Sequence, residues 1–228
     1  PWYSDRTELL AAIDYSYWDI ETRARLRESF RRVPNELQDV GLGLGFRHEL
    51  DNGWMTGALI QAGSASDEPF DSGDEVYGKG LAFLRVPHTG ENAWVFLLAV
   101  NTNSDLWIAP GFGYLFKKGN WQGGIGLPFL VLYGQPTEKF RVLASYVPVN
   151  EVRLDLSYQV LRPLLLFAGF EWTTDTWRRA ERRDDDDLLA FDQKRLQTGA
   201  RLYLSPDAHF EVKGGYAFDR EFGEGDDH

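Results

Sequence analysis

The sequence predicts an all-β chain, a transmembrane antiparallel up-and-down β-barrel of 12 or 14 strands. Three observations carry this. First, apolar and polar residues alternate with a period of two over long stretches. In 151–160, Val152, Leu154, Leu156, Tyr158 and Val160 interleave with Arg153, Asp155, Ser157 and Gln159, which places them on opposite faces of a strand. Second, the connections fall into tight turns and long charged loops, as in outer-membrane barrels. Third, aromatic rings gather near the ends of the runs, where a water–lipid interface favours them.

Strand-like runs follow one another as 8–17, 40–50, 54–63, 76–87, 92–102, 106–117, 121–133, 140–147, 151–160, 164–174, 194–204 and 208–219. A long polar segment, 21–39, separates the first two and carries five Arg. Within 40–50, Val40, Leu42, Leu44 and Phe46 oppose Gly41, Gly43, Gly45, Arg47 and Glu49. Asp51-Asn52-Gly53 turns the chain into 54–63, and the acidic segment 64–75 follows. Turns at His88–Asn92, Lys117–Asn120, Pro136–Lys139, Arg162-Pro163 and Ser205–Asp207 bound the later runs with Gly, Asn, Asp or Pro in the bend. A third long loop, 174–194, holds four Arg followed by Asp184 to Asp187. In 194–204, Leu196, Thr198, Ala200, Leu202 and Leu204 oppose Arg195, Gln197, Gly199, Arg201 and Tyr203. In 208–219, Phe210, Val212, Gly214, Tyr216 and Phe218 oppose Glu211, Lys213, Gly215, Ala217 and Asp219. The alternation of short and long connections demands a further reversal inside 121–133. Gly126-Leu127-Pro128 offers it, because Pro128 has no amide for a ladder. That division gives thirteen strands, one short of an even barrel.

An apolar face can rest on a second protein layer or on lipid. A soluble sandwich also shows apolar-in, polar-out strands and mixed loop lengths. The terminal aromatics favour lipid, with Trp18, Trp54, Trp107 and Trp172 as interface residues. No stretch reaches the ~20 apolar residues of a membrane helix, but a spanning strand needs only ~9–11. The opening "PWYSDRTELL" shows no basic-then-apolar leader, as expected of a mature form or of late-starting coverage.

With 24 Lys+Arg against 35 Asp+Glu, the net charge of −11 argues against a nucleic-acid partner. The absence of Cys removes disulfides and thiolate metal sites.

Several motifs resemble a family of predicted bacterial outer-membrane β-barrels catalogued only as a domain of unknown function. They are Gly126-Leu127-Pro128, Tyr133 with Pro136 and Glu138, Tyr146-Val147-Pro148, "LFAGFEW" at 166–172, the charged loop 181–187, and Gly214 to Arg220. The likeness spans roughly 40–222 and is densest after 105. It implies fold and location and supplies no activity. It also implies a closing strand beyond Phe218-Asp219-Arg220 that this sequence lacks.

Catalysis is not expected. There is no Gly-x-Ser-x-Gly element, and of His48, His88, His209 and His228 only His48, beside Glu49, is placed as a base. No cofactor or metal is expected either. Asp71, Asp74 and Glu75, like Asp184 to Asp187, read as solvated acidic loops whose alternative is sharing divalent cations with lipopolysaccharide phosphates. Arg178, Arg179, Arg182 and Arg183 either pair with the following Asp run or contact lipid phosphates.

The inward residues carry the functional expectation. Arg153, Asp155, Glu171, Arg195, Arg201, Glu211 and Lys213 are placed to line a lumen, with Arg47, Glu49, Lys79, Arg85, Arg141 and Asp219 on the same side. Their mixed signs suit either a plug of ion pairs or a water-filled passage. The favoured function is a narrow, passive, porin-like channel in the bacterial outer membrane. The alternative is a structural or interaction barrel whose loops bind a partner protein or lipopolysaccharide. Expected partners are outer-membrane lipid or lipopolysaccharide, with another envelope protein or a second copy as further partners. The loop 174–194 discriminates: folded into the lumen beside Arg153 and Arg201 it means a gated pore or plug, projecting outward it favours partner binding.

Overall fold

The structure, a computed structural model, describes residues 2–4, 6–26, 30–104, 107–147, 151–180, 182, 187–205 and 208–224; of residues 2–4 and 224 only the backbone is described. The strands are β1 (Trp2–Ser4), β2 (Thr7–Asp19), β3 (Glu36–Glu49), β4 (Met55–Ser66), β5 (Val76–Pro87), β6 (Ala93–Asn101), β7 (Ile108–Lys118), β8 (Trp121–Leu127), β9 (Leu130–Gly134), β10 (Phe140–Val147), β11 (Glu151–Leu161), β12 (Leu164–Trp177), β13 (Leu189–Ser205) and β14 (Ala208–Glu224). They form one antiparallel meander in strict chain order. Thirteen are strands of five residues or more; β1 is a three-residue addition on the edge of β2, reaching only from Thr7 to Leu9.

The expected division of 121–133 is present. β8 ends at Leu127, Gly126 N–H donates to the Phe129 carbonyl, and β9 begins at Leu130. Among the described residues no ladder joins β14 to β1 or β2, so the meander has two edges. Both β2 and β14 leave the short-turn rim and run toward the long-loop rim, so each presents an edge of the same direction.

Among the described residues, all tight turns but the two-residue β8–β9 turn share one rim. Left-handed backbone there falls on Gly53, Gly90 and Gly119, with φ of 77°, 64° and 57°. The other rim carries the long loops, which are shorter than the sequence suggested. Residues 36–39, 64–66, 174–177 and 189–194 belong to strands. Both faces of those stretches are polar or mixed, so the alternation that marks a strand fades there although the ladder continues.

The sheet curls. Trp18 on β2 meets Trp177 on β12 and Phe191 on β13 edge-on, at ring separations of 6.2 and 5.7 Å. Phe191 stacks on Phe222 of β14 at 4.4 Å. These rings join Leu26, Val33, Leu37, Ala65, Tyr77 and Leu189 in a buried cluster on the concave side at the long-loop rim. Trp18 therefore sits inside, where sequence reading set it at a lipid interface. Period two explains the correction: Trp18 lies opposite the fully buried Leu37, whereas Tyr15 and Tyr17 point outward and are exposed. Small residues admit this packing. A Cβ on Gly63 would lie 2.4 Å from the Val40 carbonyl oxygen and 2.8 Å from the Tyr77 phenol, so only glycine lets that ring lie flat across β3 and β4.

Candidate functional site on the concave face

Burial on the strands is inverted relative to a water-soluble sheet. On β11, Leu154, Leu156, Tyr158 and Val160 are between 37% and 48% exposed, while Arg153, Asp155, Ser157 and Gln159 are all partly buried. Leu42 and Leu44 on β3, Ile60 on β4, Phe112 on β7, and Phe210 and Val212 on β14 extend the exposed apolar belt around the convex side. Trp54 and Trp107 are exposed, near opposite rims. Trp172 is exposed on β12, and the Lys194 ammonium lies 4.9 Å from its ring centre. Lys194 also pairs with Asp219, so on this part of the outer face apolar surface gives way to an ion pair.

The concave side carries the charges. Arg153 pairs with Asp155 on its own strand, at 2.5 Å. Arg195 on β13 pairs with Glu171 on β12, also at 2.5 Å, and Arg201 donates to Glu211 on β14 at 2.7 Å. Arg47 pairs with Glu8 on the neighbouring strand. Counting back from the Arg162-Pro163 turn places Asp155 near Phe170 and Arg153 near Trp172; the ladder instead sets Asp155 opposite Gly169 and Arg153 directly opposite Glu171. A bulge between Gln159 and Leu161 takes up one residue and shifts the register by one. Glu171 still goes to Arg195, leaving Arg153 with Asp155.

Toward the short-turn rim the concave face holds a cavity of about 310 Å³. Of the residues expected to line a lumen, Arg141, Arg153, Asp155, Arg201, Glu211 and Lys213 meet there. Glu171 and Arg195 lie further along the strands and do not line it. Arg141 and Lys213 have no ion pair among the described residues, so the cavity has cationic excess. Tyr133, Phe167 and Tyr203 give it aromatic walls, which sequence alternation alone did not single out.

The opposite end carries a strap. After β12 the chain crosses the concave side instead of projecting outward. Arg178 N–H donates to the Ala65 carbonyl at 2.7 Å. Its guanidinium donates to the Asn103 side-chain oxygen at 2.8 Å and to the carbonyls of Thr102 and Asp74 at 2.6 and 3.0 Å. Ala180 N–H donates to Asp67 at 2.8 Å, and Arg182 donates to the Asp74 carbonyl at 3.0 Å. The strap thus lands on the end of β4 and on the β4–β5 and β6–β7 loops, well away from Arg153 and Arg201. Asn103, only 2% exposed, is central to this latch and gave no signal in the sequence beyond a polar loop.

The acidic loop after β4 has a local use. Glu75, 1% exposed, accepts from Ser72 N–H at 2.9 Å and from the Ser72 hydroxyl at 3.0 Å. With Ser72 it caps the single 3₁₀ turn Gly73–Glu75. Among the described residues no group of three or more His, Asp and Glu is arranged to hold a metal ion. His48 shares a hydrogen bond of 2.8 Å with the Thr7 hydroxyl. Arg183, Asp184 to Asp186, Pro148, the Pro206-Asp207 bend and His228 lie outside the described residues. No protein-family model, curated protein or solved structure matches the chain.

Proposed function

We propose that this chain is a membrane-spanning β-barrel of the bacterial outer membrane that forms a narrow, gated passage for small solutes and performs no catalysis. The observation that carries the reading is the inverted burial of β11, with Leu154, Leu156 and Tyr158 outward and Arg153 and Asp155 inward. An exposed apolar belt this extensive is costly in water and normal against lipid. Lipid also requires the edges of β2 and β14 to find partners, because unpaired backbone groups in hydrocarbon cost several kcal/mol each; barrel closure belongs to the same proposal. The cavity at the short-turn end serves as a vestibule with cationic excess, and the Arg178 strap is the gate.

The strap also favours a second reading, an anchoring barrel that never opens. Planar-bilayer recording of the purified protein separates the two. The gated passage predicts sparse openings that prefer anions, and a cation-shifted preference for Arg153→Glu combined with Arg201→Glu. Openings whose selectivity ignores that double variant would remove these residues from the passage. Silence in every variant, strap variants included, would leave the anchor.

A further inference from the structure

The described residues of the loop between β2 and β3, 20–26 and 30–35, pair with each other over the long-loop rim. Ile20 N–H donates to Asn35, Leu26 N–H to Arg31 and Val33 N–H to Ala24, at 2.7, 2.8 and 3.3 Å. Leu26 and Val33 face down and are buried in the rim cluster. Arg25 and Arg32 face each other across an isolated antiparallel bridge, both exposed. Like charges directly opposite in a ladder are destabilising, and this chain, with its large acidic excess, has carboxylates to spare for pairing them. It does not use them here. Among the described residues Arg23, Arg25 and Arg32 have no ion pair or side-chain hydrogen bond.

These three, with Arg31 and the 5%-exposed Arg179, line a cavity of about 700 Å³. Among the described residues its acidic lining is Asp67 and Glu68, and Asp67 already accepts from Ala180 N–H and the Ser66 hydroxyl. We infer that this rim pocket binds a phosphate-bearing polyanion, a pyrophosphate or a phosphorylated headgroup. Converging guanidinium forks match the several oxygens of a phosphate better than a lone carboxylate. The volume exceeds one phosphate and suits a ligand with two, or with one on a sugar-sized body. A bound polyanion would also relieve the Arg25–Arg32 repulsion, so the ligand stabilises the hairpin it occupies. The inference holds whether or not the passage conducts.

The test is calorimetric titration of the full chain in a nonionic detergent, with inorganic pyrophosphate as soluble probe and micelles doped with phosphatidic acid or phosphatidylcholine as the lipid arm. Saturable binding of pyrophosphate, of phosphatidic acid or of both is expected, weakened at least about tenfold by Arg25→Gln with Arg32→Gln. Pyrophosphate alone identifies a soluble anion; a response to phosphatidic acid only identifies a membrane headgroup. Arg47→Gln, at the opposite rim and paired with Glu8, should leave affinity unchanged. The unliganded double variant should melt no lower than wild type, since a repulsion is removed. If it does not fold, Arg23→Gln carries the same expected loss of affinity. Failure of both probes, or equal binding by wild type and the folded variants, overturns the inference.

Discussion

Leu156 and Ser157 are neighbours on β11 with opposite surroundings: Leu156 is among the exposed apolar residues, and Ser157 lines the short-turn cavity. If lipid covers the convex side, Leu156→Arg carries a charge into hydrocarbon at about 2–4 kcal/mol near the midplane, whereas Ser157→Arg meets water and Asp155. The expected result is a marked loss of folded protein in lipid vesicles for Leu156→Arg and near wild-type folding for Ser157→Arg, read by the band shift between unheated and boiled samples. Equal losses would contradict the facing of β11. At this scale the sequence was legible wherever one face is uniformly apolar, as on β11 and in 40–46. It misled at Trp18, where aromatic character suggested an interface but parity assigns the residue inward and leaves the outer position to Tyr17. It also missed the direct Arg153–Glu171 opposition, because a one-residue bulge leaves no trace in an alternating pattern.

Among the elements, the strands were easier to read than the loops for a physical reason. A strand with one apolar face declares itself locally, and Pro128 likewise marked the β8–β9 break through its missing amide. β1 is too short to show a period. The strap after β12 depends on partners far away in the chain, with Arg178 meeting Asn103, Thr102 and Asp74. Its course over the concave side lies away from Arg153 and Arg201, where the sequence reading set the inward alternative, and no composition rule selects the carbonyls it lands on. Arg178→Ala removes the guanidinium bonds to Asn103, Thr102 and Asp74. The variant should fold, because the Arg178 amide still reaches the Ala65 carbonyl and no strand residue changes. It should raise open probability in bilayer recordings several-fold and speed amide exchange across 178–182. Unchanged exchange there would show that the latch contributes little to holding the strap.

Taken as a whole, the molecule is polarised along the strands. One end holds a cavity with cationic excess beside short turns; the other carries an aromatic cluster, a strap and an arginine-bearing hairpin. Rings from the first and last thirds of the chain touch in that cluster, so the rim rests on non-local contacts between β2 and β12–β13 whose loop-closure entropy is large. Trp177→Ala empties the middle of the cluster and should cost about 3–5 kcal/mol against denaturant. The same truncation at Trp107, exposed outside the sheet, should cost much less in detergent. Similar midpoints for the two variants would mean that the rim cluster does not hold the ends of the sheet together.

The common direction of β2 and β14 has a geometric consequence for any wall they complete together. All other neighbours in the sheet run head to tail. A joint made directly between these two strands would run side by side in the same sense, the one parallel ladder in an antiparallel cylinder. Its hydrogen bonds would be slanted and weaker per residue than those elsewhere. Such a cylinder has a grain: it parts most readily along a single line, beside the hairpin of arginines, and any sideways exit from lumen to bilayer would lie there.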